Sequence, residues 1–243
     1  MSTHRISVAQ DIRSGGANPP NRAVSGVPMA NLVYETLTAP AVADVDALIK
    51  AATSTELPNN ETVTYTFPGS ASPVDGVDSD GVLDVARNII CQTTHASSIV
   101  AMTVLVTGRD IYNQVMSELI TVAATGTDES DVGKKAFKTI TSIAIASAGN
   151  AESNTLNVGF GDVLGLSYRL APGGFIAGGF NGVKEATQGT VVAADATTAT
   201  TTTGDIRGTY DPNGTLDGTK DVTLTYVAKN GPLDSDGFGV TQA

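Results

Sequence analysis

The sequence predicts an all-β protein: an antiparallel β-sandwich or jelly-roll-like body with one short helix and an extended N-terminal arm. Three observations point there. Apolar and polar residues alternate with a period of two in several stretches, and turn residues punctuate those stretches at short intervals. Charged residues make up only 16 % of the chain, so threonine, serine and asparagine must supply much of the polar surface. Threonine is β-branched and suits a half-exposed strand. At 243 residues the chain can bury a core of one large β domain or two small ones.

In chain order, residues 1–40 read as the arm. Gly15-Gly16-Ala17-Asn18-Pro19-Pro20-Asn21 and Gly26-Val27-Pro28 break any periodic pattern. The arm carries Arg5, Arg13 and Arg22 against few acids, while the rest of the chain is acidic. Alone in water such a segment is expected to be disordered, so a neighbouring subunit is its natural support. Residues 41–243 form the β-rich body, with a junction between two subdomains near 150–162 as an alternative. Residues 43–53 predict the helix: Asp44 is a candidate N-cap, and Val45, Leu48, Ile49 and Ala52 fall at helical spacing between Pro40 and Pro58.

Strands follow. Val63, Tyr65 and Phe67 alternate with threonines, as do Val222, Leu224 and Tyr226; Leu156, Val158 and Phe160 alternate with Thr155, Asn157 and Gly159. The more apolar runs 88–93, 99–106, 115–123 and 137–146 suit central strands. Turns are expected at 73–81, 108–110, 128–133, 149–150, 173–174 and 211–218. The Ala/Thr tract 193–203 reads as a long surface loop or a weakly specified edge. Two echoes, Gly161-Asp162-Val163-Leu164-Gly165 and Gly204-Asp205-Ile206-Arg207-Gly208, read as shaped turns leading into strands at 164–170 and 206–210. Arg169 and Arg207, the cations beside them, are expected to pair with surplus acids, within the chain or at an interface.

The formal charge is −11, from 14 basic and 25 acidic side chains. Nucleic-acid binding rests on Lys and Arg neutralising phosphates, so direct contact with a genome is disfavoured. The single cysteine, Cys91, lies in an apolar run and reads as a small buried side chain. The first six residues lack the apolar core of a signal peptide, and no run reaches the length of a membrane span. The expectation is a soluble protein made in the cytoplasm, with no membrane partner.

No catalytic, cofactor-binding or metal-binding constellation emerges. Serine and cysteine nucleophiles need a base, commonly histidine. Only His4, in the arm, and His95, in a turn-like stretch between strands, are available. No Gly-x-Ser-x-Gly elbow occurs. A carboxylate pair of the glycosidase kind lacks aromatic platforms in a chain without Trp. Asp75-Gly76-Val77-Asp78-Ser79-Asp80-Gly81, followed by Asp84, partly matches a calcium loop, but its glycine comes too early. It reads as successive turns, with a cation as the alternative. Asp211 to Gly218 fails the same test. Gly133-Lys134-Lys135 and Gly173 to Gly179 lack the spacing of phosphate loops.

Several stretches resemble virion proteins of tailed bacteriophages, of the head decoration or cement type. They are Val106-Thr107-Gly108-Arg109-Asp110-Ile111-Tyr112, Met116-Ser117-Glu118-Leu119-Ile120-Thr121, Lys134-Lys135-Ala136-Phe137-Lys138-Thr139-Ile140, the two echoes, and Tyr210-Asp211-Pro212. The resemblance spans residues 85–220. It implies a β-rich, non-enzymatic protein without cofactors on the outer surface of a capsid, commonly a homotrimer, bridging neighbouring major capsid subunits. On that reading Arg5, Arg13 and Arg22 lie over capsid seams. A tail or head–tail connector component, or a module whose outer loops adsorb to host glycans, is the alternative.

Overall fold

The computed structural model describes residues 2–7, 31–52, 62–68, 80–94, 101–122, 128–147, 155–195 and 199–229. All regular structure in them is β, in fifteen strands with antiparallel pairing, arranged as two sheets in the manner of a β-sandwich. The smaller sheet contains β1 (Ser2–Ser7), β2 (Asn31–Leu37), β11 (Leu170–Phe180), β12 (Val183–Lys184) and β15 (Val222–Ala228), in the order β1-β2-β15-β11-β12. The larger contains β3 (Asp44–Ala52), β4 (Thr62–Thr66), β5 (Val82–Thr94), β6 (Met102–Arg109), β7 (Val115–Val122), β8 (Asp128–Val132), β9 (Phe137–Ser147), β10 (Thr155–Gly165), β13 (Thr190–Val192) and β14 (Thr209–Asp211). Its main path is β13-β14-β10-β5-β9-β6-β7, with β3 on β10, β4 on β9 and β8 on β5.

Two cores result from the period-two patterns. In β6, Met102, Val104 and Val106 are buried between half-exposed neighbours; in β15, Val222, Leu224, Tyr226 and Ala228 are buried likewise. The first core lies within the larger sheet, where Ile89 and Cys91 of β5, Ile143 and Ile145 of β9 and Leu156, Val158 and Phe160 of β10 meet β6 and β7. The second lies where the sheets face each other, with Val33, Leu37, Leu224 and Tyr226 against Val85, Leu164, Leu166 and Tyr210. β5 and β10 feed both cores. Of the segment 150–162, considered as a subdomain junction, residues 155–162 belong to β10, a strand that the two cores share, and 150–154 lie outside the described residues.

Residues 44–52 form the strand β3, which corrects the expected helix. Its partners on β10 are Ala52 with Leu156, Ile49 with Val158 and Asp44 with Phe160, so three and then five residues of β3 match steps of two on β10. The extra residues form bulges in β3. Bulging turns the successive residues Ala47, Leu48 and Ile49 into the core and produces spacing that imitates a helix. Asp44 does accept a backbone N–H, from Asp46 at 3.1 Å, but at the start of a strand. Gly159 lets β3 cross this closely, since a Cβ there would lie 1.8 Å from the Asp44 carbonyl oxygen.

Other boundaries also move. Asn31–Leu37, assigned to the arm, is an interior strand of the smaller sheet, flanked by β1 and β15. Residues 128–132, expected as a turn, are the strand β8 beside the far half of β5. β5 is long enough to take two partners along one side: β9 reaches its first half, and β8 continues on its second. Gly108 and Arg109 complete β6, and the turn falls one residue later, at Asp110.

The two echoes have different outcomes. The first lies inside β10: Phe160 faces Ile89 and Leu164 faces Arg87, so Gly161-Asp162-Val163 is a bulge. Asn88 stabilises it by accepting the freed Val163 N–H on Oδ1 at 3.2 Å. The second is a turn preceding the short strand β14. Fold topology then sets the end of the first echo beside the strand that follows the second, with Leu164 opposite Tyr210 and Gly165 opposite Thr209.

Candidate functional site

Arg5 occupies β1, opposite Val33 in the backbone register; Arg13 and Arg22 lie outside the described residues. His4 is opposite Tyr34 in the same strand pair, and His95 lies outside the described residues. Of the partial calcium loop, Asp75 and Asp78 are also outside. Asp84 is committed to the fold: its carboxylate accepts Ala41 N–H and Val85 N–H, each at 2.7 Å, and stands 3.4 Å from Arg87. Among the described residues no three His, Cys, Asp or Glu side chains converge as a metal site.

What the fold brings together is a buried polar network around the second echo. The turn after β6 begins with Asp110, whose Oδ1 accepts Tyr112 N–H at 2.8 Å and Gln114 N–H at 2.9 Å. Its other oxygen pairs with Arg207 at 2.9 Å, with both side chains buried. The guanidinium also lies 5.5 Å from the Tyr112 ring centre. Asp205, two residues before Arg207, accepts Arg207 N–H at 2.8 Å and Ala136 N–H at 3.1 Å. The echo's aspartate thus holds its own turn and anchors it to the segment before β9.

That segment meets two further buried charges, Glu118 and Lys135. Glu118 of β7 accepts Lys134 N–H at 2.5 Å and Lys135 N–H at 3.2 Å. Lys135 donates its ammonium to the Ser117 and Thr200 carbonyls, both at 2.8 Å. Burial pushes the Glu118 carboxyl up and the Lys135 ammonium down from their ordinary values, opposed by their charges on each other. The Ala/Thr tract is consequently pinned: Leu119 N–H also donates to the Thr201 carbonyl at 2.8 Å.

Across the sheet joint stands Glu35 of β2, fully buried. Its Oε1 contacts the Ser167 hydroxyl, and its Oε2 accepts Ser167 N–H at 3.2 Å and the Tyr226 hydroxyl at 2.9 Å. Tyr112 donates its hydroxyl to the Ser167 carbonyl at 2.6 Å, linking this group to Asp110 and Arg207. Burial pushes the Glu35 carboxyl up. A serine hydroxyl beside a carboxyl has the make-up of an activated nucleophile, yet Ser167 is only 3 % exposed and sealed beneath the smaller sheet.

Three further sites are architectural. Arg87 is fully buried, donates to the Ala41 carbonyl at 2.9 Å and packs 4.5 Å over the Phe160 ring. Tyr210 contacts the Glu185 carboxylate through its hydroxyl and stacks on Phe175 at 4.9 Å. Cys91 is fully buried, and burial pushes its thiol far up. The sequence expectation of pairing with an acid is met within the chain by Arg207, while Arg169 bonds a backbone carbonyl. Arg207 pairs with Asp110, and Arg169 donates to the Asp195 carbonyl at 3.3 Å.

Asp110 lies in an expected turn, but its pairing with Arg207, 97 positions on, carries no local signal, nor does that of Glu35 with Tyr226, 191 positions away. Comparison with protein-family models, curated proteins and solved structures finds no match to this chain.

Proposed function

We propose that this chain is a non-enzymatic structural protein of a tailed-phage particle, bound as a homotrimer to the outer face of the head and bridging neighbouring major capsid subunits. The observation that carries the reading is the position of β1. Ser2–Ser7 forms the outer strand of the smaller sheet, with β2 on one side and no described strand on the other. An unpaired strand edge offers backbone donors and acceptors to another chain, a common mode of protein association. Arg5 lies on that strand, and on this reading it contacts acidic groups at a capsid seam together with Arg13 and Arg22, which lie outside the described residues.

The sequence resemblance and the antiparallel β architecture support the same reading. So does the use of buried charge: Arg87, Lys135 and Arg207 are each bonded within the fold. Weak contacts repeated over many linked copies suffice for tight attachment, because each contact raises the local concentration of the next.

The experiment is a copy-number measurement on purified particles, paired with deletion of residues 1–30. Decoration predicts hundreds of copies per particle and loss of binding by the truncated chain. The body should stay folded, because the buried apolar residues found in both cores among the described residues all lie at or beyond Val33. A few copies per particle would instead indicate a tail or head–tail connector component. Full binding by the truncated chain would refute the role of the arm, and copies that mediate attachment to cells would favour the host-adsorption module.

A further inference from the structure

We propose that Asn213-Gly214 is a latent site of backbone self-modification, and that Glu185 keeps it unreactive by holding the Gly214 amide. Asparagine is a thermolabile residue, and a following glycine adds no side chain to hinder ring closure onto it. The Gly214 nitrogen attacks Asn213 Cγ and gives up its proton, the Cγ–Nδ2 bond breaks, and ammonia leaves with that proton. Water then opens the five-membered ring at either carbonyl, leaving aspartate or isoaspartate at position 213. The reaction needs no partner but water, and Asn213 is exposed to it.

Two Asn-Gly pairs fall among the described residues, and each is restrained at a different reacting group. Asn181-Gly182 forms the turn between β11 and β12, with φ of 49° and 77°, the left-handed pair of a two-residue hairpin. There the carboxamide is fixed. Asn181 Oδ1 accepts Asp221 N–H at 2.9 Å, while Asn181 N–H donates to the Asp221 carbonyl at 2.8 Å. At the second pair the nucleophile is fixed instead: Gly214 N–H donates to Glu185 Oε1 at 2.7 Å. Glu185 is itself anchored, since Oε2 takes the Tyr210 hydroxyl and its backbone N–H donates to the Gly178 carbonyl at 3.0 Å. The Phe180 ring also packs on Gly214, so closely that a Cβ there would lie 2.6 Å from Cε2. A third pair, Asn230-Gly231, lies outside the described residues.

The bond to Glu185 opposes the reaction twice. The amide must leave its acceptor to reach Cγ, and charge-assisted bonds are the stronger sort. A carboxylate beside the N–H also makes loss of the proton harder, because the resulting anion would face a like charge. Losing the bond therefore raises the rate about tenfold or more, the factor that corresponds to one hydrogen bond to a charged group. Glu185 follows β12 of the smaller sheet and Gly214 follows β14 of the larger, so the restraint spans the two sheets. An opening of that joint frees the amide, and Asn213 records it as a permanent chemical change. This inference is independent of the phage assignment and stands if that reading fails.

The test incubates the full chain, Glu185→Gln and Glu185→Ala at mildly alkaline pH and reads deamidation at each asparagine by peptide mass mapping. Gln keeps an acceptor for Gly214 N–H, whereas Ala removes it. Glu185→Ala should modify Asn213 about tenfold or more faster than the native chain. Glu185→Gln should lie nearer the native rate than the Ala rate, and Asn181 should stay intact in all three proteins. A native rate at Asn213 in Glu185→Ala would overturn the proposal. Should Asn181 react as well, which would mark a wider opening of the variant, the native chain is compared with itself in denaturant. Slowing of Asn213 by at least about tenfold on folding, with slow hydrogen exchange at Gly214, supports the restraint. Equal rates folded and unfolded, or fast exchange at Gly214, refute it.

Discussion

Arg207 and Asp110 show how a single buried pair can fix several parts of a fold. The pair is closed to solvent, and Asp110 also holds the two backbone amides of its own turn. Removing one partner strands the other charge in a dry site, so Asp110→Ala should cost about 3–5 kcal/mol in denaturant unfolding. Lys50 and Asp46 make the contrast. They sit 3.0 Å apart, but Lys50 is 80 % exposed, and Lys50→Ala should cost no more than about 1 kcal/mol. Equal losses for the two variants would refute the view that burial sets the value of these charges. The pairing of Arg207 with an acid was legible from its isolation among acidic residues. Its partner was not, because 97 positions separate the two.

At the scale of elements, the two Gly-Asp echoes share a pattern but occupy different environments. A Cβ at Gly161 would come within 2.5 Å of the Asn88 side-chain oxygen, which is bonded to Val163 N–H. At Gly204 the nearest atom is the Asp195 carboxylate at 3.5 Å, an ordinary contact. Gly161→Ala should therefore lose the Asn88 bond and about 1–3 kcal/mol, while Gly204→Ala should stay within about 0.5 kcal/mol of the native chain. Thermal or denaturant melts of the two variants check this, and equal effects would contradict it. The period-two stretches at 62–66, 155–160 and 222–226 are strands as their sequences predict, because alternation creates one wet and one dry face. The same logic misleads at β3. Its apolar residues follow a spacing shared by a helix and by a strand with two bulges, and only the bulged strand can pair with β10.

Across the whole molecule, β5 and β10 connect the two cores. Ile89 and Cys91 lie in one and Val85 in the other; Phe160 and Leu164 are divided in the same way. Neither core can be opened without disturbing strands that line both. Unfolding should consequently be a single transition, with Cys91 thiol labelling reporting the first core and the tyrosine signal of Tyr210 and Tyr226 the second. Coincident curves are expected, with no reaction at Cys91 before the transition, since burial holds the thiol protonated and out of reach. Separated midpoints would mean that the sheets behave as independent units.

The amino-acid sequence by itself determined the β class, most strand positions, the burial of Cys91 and the role of Arg207 as a paired cation. Each follows from residues close together in the chain, through alternation, turn chemistry and the cost of burying an isolated charge. Tertiary structure alone decided that 44–52 is a bulged strand, that Asn31–Leu37 is an interior strand, and that the end of the first echo pairs with the strand following the second. It also assembled Glu35, Ser167 and Tyr226. Those features depend on which distant strands become neighbours, and hydrogen-bond register between them is a property of the packed sheets that no local pattern contains.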